Sequence, residues 1–215
     1  MMPGVAAQPL RRSSSGGGGI ANAWNLDFLD EVYTLNGSPV LLADIVDKPE
    51  RVGANGLEIL DNDVNGSVSA IGALLTDLIA ADWTAVVGFE KAASGGFSEL
   101  LYVGDIDLNH SIFVDLYTSM QGGDSGFVIR PISNAGDYRS GVHKVAFTRT
   151  NAIAAISTDG GSAVADTTLN DTLNPMAIAA FGGLPSPDGS YDACYIRTFQ
   201  LMAPVSTGAL PSLSA

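Results

Sequence analysis

The sequence is short of charged residues, of cations and of cysteine, and each shortage excludes a class of protein. Only 15% of the 215 residues are charged, and 10 lysines and arginines stand against 23 acidic residues, for a net charge of −13. An acidic chain with scattered cations repels phosphate backbones, which argues against a nucleic-acid partner. The single cysteine, Cys194, excludes an internal disulfide framework and a zinc site built on thiolates.

Long apolar runs are missing as well. No run approaches the ~18 residues of a membrane-spanning helix, and the best candidate, residues 71–81, is interrupted by Asp77. The amino-terminal residues do not have the pattern of a secretory signal, because Arg11 and Arg12 follow a short and weakly apolar stretch. We therefore expect a protein without a membrane partner.

Residues 1–22 differ in composition from the rest of the chain. They contain two prolines, the Arg11-Arg12 pair, a serine run and the glycines 16–19, and they show no periodicity. Such a segment has almost nothing to bury, which predicts a flexible arm. Either a neighbouring subunit orders this arm or it is a disordered tail, and the sequence leaves both interpretations open. If it is ordered, we expect it to anchor the protein to another chain.

From residue 23 onward, short apolar stretches alternate with turn signals. The Asn36-Gly37 pair predicts a tight hairpin between two apolar stretches, because both residues tolerate a positive φ angle. Residues 83–90 and 142–149 have the two-residue period of strands with one face on the core. A helical spacing of apolar residues occurs only in residues 69–81.

Together these patterns predict an all-β protein, an antiparallel β-sandwich with one short helix, because strands do not alternate with helices. We expect one domain over residues 23–204, with residues 205–215 as a carboxyl-terminal tail. Cys194 is expected to be a small core residue. The strand faces predict further core residues: Trp83, Val87, Phe89, Val145, Phe147 and Ile196.

Three stretches, in this order, resemble the concanavalin A-like (laminin-G-like) jelly rolls of bacteriophage virion proteins. The first stretch comprises residues 24–28, the Asn36-Gly37 hairpin and residues 56–59. The second comprises residues 142–148, residues 153–157 and the Asp159-Gly160-Gly161 turn. The third comprises residues 195–201. The resemblance covers most of residues 24–213. It implies that the second stretch is a strand pair crossing the concave sheet, and that the third closes the fold beside the first strand. Pro211 is expected to interrupt the short helix that often ends such modules.

The resemblance implies a non-catalytic structural protein on the surface of a phage virion, either a head decoration or spike subunit or a tail-fibre component. Its expected partners are other virion proteins, reached through residues 1–22. A low charge density of one sign suits specific polar contacts between copies, which predicts a homo-oligomer, with a trimer favoured by analogy to phage spikes and fibres.

A second interpretation is a carbohydrate-binding module that attaches to cell-surface glycan. Aromatic side chains on a concave sheet face would then stack on sugar rings. The candidates are Trp83, Tyr102, Tyr117 and Tyr138.

A third interpretation, a polysaccharide hydrolase, has weaker support. Retaining hydrolases need two carboxyl groups about 5 Å apart, whereas the chain offers Glu58, Leu60 and Asn62 at the required strand spacing. The Gly123-Asp124-Ser125-Gly126 motif resembles the nucleophile loop of trypsin-like proteases, but Phe127 stands where that loop has glycine. A turn between strands explains this motif better.

Metal-binding signals are also weak. Asp61, Asp63 and Asn65 match the first oxygen positions of a calcium loop, but Gly72 replaces the bidentate glutamate that closes the shell. A polar turn explains the same residues, so calcium is a candidate ligand and no other cofactor is expected. His110 and His143 lack convergent partners in the sequence and are interpreted as structural histidines.

Overall fold

The computed structural model describes residues 22–59, 69–78, 82–91, 100–104, 119–120, 132–133, 138, 140–150, 153–167, 178–181 and 194–215. The predictions for residues 1–21, for the calcium loop at Asp61, Asp63 and Asn65, for Tyr117 and for the motif at residues 123–126 lie outside these residues.

The described residues form short strands, two short α-helices and three turns of 3₁₀-helix. The strands are β1 (Trp24–Asp27), β2 (Val32–Leu35), β3 (Ser38–Pro39), β4 (Val52–Gly53), β5 (Gly56–Ile59), β6 (Ser69–Ala70), β7 (Trp83–Lys91), β8 (Leu101–Gly104), β9 (Ser119–Met120), β10 (Ile132–Ser133), β11 (Gly141–Arg149), β12 (Ala154–Thr158), β13 (Val164–Asp166), β14 (Ile178–Phe181) and β15 (Cys194–Met202). The helices are α1 (Gly72–Leu78) and α2 (Leu210–Ser214), with 3₁₀ turns at Leu42–Asp44, Pro49–Arg51 and Thr207–Ala209.

The main sheet has ten antiparallel strands in the order β13–β12–β11–β7–β15–β1–β2–β3, with β5 pairing to β15 and β4 to β5. A smaller sheet has the order β6–β14–β8, and β9 pairs with β10. Strand β15 therefore returns between β7 and β1, and β11 and β12 form an antiparallel pair. This confirms the predicted all-β antiparallel sandwich.

The core lies between the main sheet and the smaller sheet. Phe181 of β14 packs against Phe199 of β15, with ring centroids 5.0 Å apart, and edge-on against Phe28 at 5.7 Å. Trp83 and Phe147 pack edge to face at 5.6 Å on the neighbouring strands β7 and β11. All six predicted core residues are buried, with at most 2% of their surface exposed, so that prediction is confirmed. Cys194 is buried as predicted.

The predicted helix exists but is shorter than residues 69–81. Ser69 and Ala70 instead form β6, which pairs with β14, and the backbone N–H of Ile71 donates to the carbonyl of Ala179 at 2.9 Å. This pairing satisfies backbone groups that a helix would have used, so α1 begins only at Gly72. Residues 79–81 lie outside the described residues. No helix in the described part of the chain is long and apolar enough to cross a membrane.

The carboxyl-terminal residues 205–215 pack onto the main sheet. Leu210 is fully buried against Val86 and Ala146, on the sheet face that points away from the core. Pro211 lies in the first turn of α2, where the missing N–H of proline costs nothing. It therefore begins the helix, and the expectation that it interrupts one is wrong.

Candidate functional site

An open pocket of about 500 Å³ lies on the outer face of the main sheet, opposite the core. Gly88 of β7 and Thr198 of β15 are adjacent near the middle of the sheet. Lys144 of β11 lies on one side of them, and Leu29, in the turn after β1, lies on the other. The pocket begins where the cover provided by α2 ends, because Ser214 is among its lining residues.

A β-bulge in β15 places two consecutive polar residues at this pocket. The pairing of β15 with β7 shifts register between Ile196 and Thr198. Arg197 and Thr198 both line the pocket and are both half-buried, whereas Ile196 and Phe199 on either side are buried in the core. A bulge inserts one extra residue and re-aims a side chain, and here it directs Arg197 to the outer face.

The absence of a side chain at Gly88 makes room for the Thr198 hydroxyl. A Cβ atom built on Gly88 would lie 2.5 Å from Oγ1 of Thr198, closer than real Cβ contacts allow. The φ angle of Gly88 is not in the left-handed region, so the space taken by Thr198, and not the backbone conformation, requires glycine at this position.

The guanidinium group of Arg197 has one nitrogen with a partner in the described part of the chain and one nitrogen without. Its Nη1 binds Oε2 of Glu90 at 3.3 Å, and its Nε is buried without a hydrogen-bond partner among the described residues. Glu90 pairs in register with Tyr195, whose hydroxyl donates to Glu58 Oε1 at 3.4 Å. A buried N–H without an acceptor is costly, and this cost is offset in part by the contact of Nη1 with Glu90.

The opposite side of the pocket is built around Asp159, in the turn after β12. Oδ1 of Asp159 accepts from the backbone N–H of Lys144 at 2.9 Å, and Oδ2 lies 2.8 Å from Nδ1 of His143. The Nε2 atom of His143 lies 3.0 Å from the carbonyl oxygen of Ser140. Nζ of Lys144 donates to the backbone oxygen of Ala215 at 3.1 Å. These contacts tie β11, the turn and α2 together.

Of the aromatic residues predicted to stack on sugars, the two whose side chains are described, Trp83 and Tyr138, do not line this pocket. Trp83 is fully buried and its indole N–H donates to the carbonyl of Leu78 at 2.9 Å. It has no exposed ring face, so its assignment as a sugar-binding residue is corrected to a core residue. Tyr138 is also buried, with its ring edge-on to His143 at a centroid distance of 5.2 Å. Tyr102 lies in β8, but its side chain, like that of Tyr117, is outside the description.

His143 has the contacts expected of a structural histidine, since its ring nitrogens face Asp159 and Ser140 and its ring packs on Tyr138. It also lies at the edge of the pocket, where the sequence does not predict Lys144, Asp159 or Arg197. A signal for Arg197 exists in the sequence, because the polar Arg197-Thr198 pair breaks the alternation of β15 by one residue. Within the described ranges, no group of three or more His, Cys, Asp or Glu side chains could hold a metal ion.

No protein family matches this chain, and no curated protein matches it in sequence. Solved structures do share its fold. A Trypanosoma rangeli sialidase in complex with 2,3-difluoro-KDN has a TM-score of 0.56 at 15% identity, over 98% of this chain and 35% of the sialidase, so this chain spans about a third of that protein.

Two smaller domains match as well. The CBM40 of the Ruminococcus gnavus IT-sialidase, bound to α2,6-sialyllactose, has a TM-score of 0.55 at 14% identity, over 75% of this chain and 97% of that module. The binding domain of botulinum neurotoxin DC, in complex with rat synaptotagmin II, has a TM-score of 0.50 at 10% identity, over 68% and 38% of the two chains. At these identities the likeness concerns the fold: this chain has a lectin-like β-sandwich.

Proposed function

We propose that this protein is a non-catalytic glycan-binding module, and that its ligand binds in the pocket around Gly88, Thr198 and Arg197. The observation that carries the proposal is the β15 bulge, which brings both Arg197 and Thr198 to the lining of an open pocket. The pocket volume of about 500 Å³ lies within the range of small-ligand sites.

The chemistry of the lining suits a sugar, which presents hydroxyl groups at its edge and C–H groups on its faces. Arg197 and Lys144 supply N–H donors, and the Thr198 hydroxyl can both donate and accept. Leu29 and Val142, which are 36% and 57% exposed, supply apolar contact area in the same pocket. The structural neighbour solved with α2,6-sialyllactose supports a glycan as the ligand class and supplies a first probe.

The acidic side chain at the pocket supports binding and not hydrolysis. Asp159 is the acidic side chain among the lining residues, and both of its oxygens have partners, in Lys144 and His143. A retaining hydrolase needs two carboxyl groups that face the scissile bond, one as nucleophile and one as acid. Carboxylates whose oxygens already have partners in the fold are better suited to hold the pocket in shape.

The proposal includes the setting implied by the sequence resemblance: a bacteriophage virion surface, on which residues 1–22 anchor the sandwich to another virion protein and copies of the chain form a homo-oligomer, with three copies as the first expectation. Its support is the order of the three resembling stretches in the sequence. Two measurements test it, namely light scattering on the purified chain and co-purification of full-length and 1–22-deleted protein with virions. A monomer at high micromolar concentration that never co-purifies contradicts this part of the proposal.

A glycan array followed by titration tests the binding function. We expect at least one glycan to bind, and Arg197→Ala to weaken that binding about tenfold, the size of one hydrogen bond to a charged group. Arg51→Ala is the matched control, because Arg51 lies outside the pocket, and it should bind as the wild type does. An array without hits, or equal affinity for the Arg197 variant and the wild type, contradicts the proposal.

A further inference from the structure

The outer face of the main sheet has a covered half and an open half. Leu210 of α2 packs on residues of β7, β11 and β12, so α2 covers this half of the face. Strands β15, β1 and β2 lie on the other side of β7. On these strands Asn25 is exposed, and Gln200 and Thr34 are half-buried. A ligand in the pocket can therefore reach a solvent-accessible sheet surface on the side away from α2.

Three polar side chains lie in register across this open half, one on each strand. Asn25 of β1 pairs with Gln200 of β15 and with Thr34 of β2. Trp24 and Leu26, on either side of Asn25, are buried in the core, so Asn25 and its two cross-strand partners point to the outer face. We call these three residues the polar strip.

The polar strip continues from the pocket along β15. Thr198 lines the pocket, and Gln200 lies two residues further on the same face, about 7 Å away. Nε2 of Gln200 donates to Oδ1 of Asn25 at 3.0 Å. Within the described part of the chain, the carbonyl oxygen of Gln200 and the amide N–H groups of Asn25 have no other hydrogen bond. Sugar hydroxyl groups, which both donate and accept, can bind to both kinds of group.

The opposite side of the pocket is bounded by a wall. The backbone N–H of Gly160 donates to Oγ of Ser214 at 3.1 Å, and Nζ of Lys144 donates to the backbone oxygen of Ala215 at 3.1 Å. These contacts join the turn that carries Asp159 to the end of α2, and both segments line the pocket. A chain of sugars in the pocket would meet this wall in one direction and the polar strip in the other.

We propose that the pocket binds the end of a glycan chain and that the polar strip binds the next sugar unit. The inference rests on the proposed function and narrows its ligand class to oligosaccharides with a free end. The wall favours a chain end over the interior of a long chain, because a chain continuing in both directions would collide with it. The strip carries amide and hydroxyl groups and no charge, so the unit bound there should be a neutral sugar.

Titrations with α2,6-sialyllactose and with its terminal sialic acid alone test the second subsite. If another oligosaccharide of the array binds better, that glycan and its own terminal sugar are the probes. The trisaccharide should bind about tenfold tighter than the terminal sugar, since additional hydrogen bonds form at the strip. In ¹H–¹⁵N spectra, the side-chain amide signals of Asn25 and Gln200 should shift with the trisaccharide and stay unchanged with the terminal sugar.

Variants separate the strip from the pocket. Gln200→Ala should weaken binding of the trisaccharide about fivefold, the size of one ordinary hydrogen bond, and leave binding of the terminal sugar unchanged. Arg197→Ala should weaken both. Asn55→Ala removes another exposed amide, one that does not line the pocket, and should bind both probes as the wild type does. A second sialic acid added to the terminal unit should lower the affinity about tenfold, because it would meet the wall.

The outcomes distinguish this inference from the proposed function. If trisaccharide and terminal sugar bind equally, or if Gln200→Ala weakens both or neither, the inference is overturned while the proposed function stands. Equal affinity for the glycan lengthened at its terminal unit overturns the chain-end assignment. If Gln200→Ala changes the oligomeric state in light scattering instead, the strip is a contact between copies and the inference is overturned. An array without hits overturns the inference and the proposed function together.

Discussion

Strands β7 and β11 run side by side, and their two faces have different surroundings. On the inner face, Trp83, Val87 and Phe147 are fully buried between the two sheets. On the outer face, α2 covers Val86 and Ala146. Gly88 and Lys144, each two residues away on the same strands, line the open pocket. The inner face therefore holds the fold together, and the outer face is divided between a docked segment and a site.

The polar groups of the outer face also differ between the region covered by α2 and the pocket. Near α2 they bind the covering segment: the hydroxyls of Thr84 and Thr148 lie 2.8 Å apart, and Thr84 accepts from the backbone N–H of Val205 at 2.9 Å. At the pocket, Arg197 retains a donor for which the described residues offer no acceptor. The outer face therefore divides into polar groups that bind the covering segment and polar groups that line the open pocket.

The strongest test of the comparison removes a ring from the inner face. Phe147→Ala should lower the free energy of unfolding by about 3–5 kcal/mol, because a buried aromatic side chain leaves both lost contacts and a cavity. Val142→Ala, on the outer face of the same strand and 57% exposed, should cost less than about 1 kcal/mol. Urea unfolding measures both. Similar losses in the two variants would break the distinction between the faces.

A second test removes the anchor of α2 from the outer face. Leu210→Ala should cost about 2–4 kcal/mol, since Leu210 is fully buried against Val86 and Ala146. Leu41→Ala, at a side chain that is 70% exposed, is the control and should change stability by about 0.5 kcal/mol at most. If Leu210→Ala unfolds like the control, residues 205–215 are a loosely attached tail after all.

A third test concerns the floor of the pocket. Gly88→Ala should cost about 1–2 kcal/mol, because the new methyl group meets the Thr198 hydroxyl. Adding Thr198→Ala removes that hydroxyl and leaves the nearest Thr198 carbon 3.7 Å from the new Cβ, so most of the loss should be recovered. A double-mutant cycle by chemical denaturation measures the coupling. Simple additivity of the two changes would show that Thr198 is not what requires glycine.

The smallest expected effect concerns Tyr33, a polar exception on the inner face. Burial raises the pKa of Tyr33 above its ordinary value of 10.0, and the nearby Glu31 and Asp27 raise it further. Above pH 10 the unfolded chain therefore loses this proton first, so the folded state should lose stability as the pH rises through that region.

The variant Tyr33→Phe tests this expected loss of stability at high pH. Its hydroxyl has no hydrogen-bond partner among the described residues, so the substitution should change stability at pH 7 by less than about 1 kcal/mol. Between pH 9 and 11 the variant should lose less stability than the wild type, as measured by urea titrations at each pH. Tyr195→Phe, at a half-exposed position, is the control. An identical pH dependence of stability for Tyr33→Phe and the wild type would contradict the expectation.

Much of the fold was predictable because its signals are local. The Asn36-Gly37 turn adopts positive φ angles of 52° and 78°, as its composition predicts, although the following strand β3 is only Ser38–Pro39. The alternation in β7 identified Trp83 and Phe89 as core residues. Aromatic residues in the sequence do not point to the candidate site, because Trp83 and Tyr138 are buried.

By itself, the sequence determined where strands and turns form and which side chains point into the core, since alternation and turn residues act over a few neighbouring positions. Only the tertiary structure decided what lies on the outer face. The docking of Leu210, the bulge at Arg197, the space above Gly88 and the contact between His143 and Asp159 all depend on strands that are distant in sequence becoming neighbours in one sheet. The pocket is a property of that pairing, because no single stretch of the chain contains all of its walls.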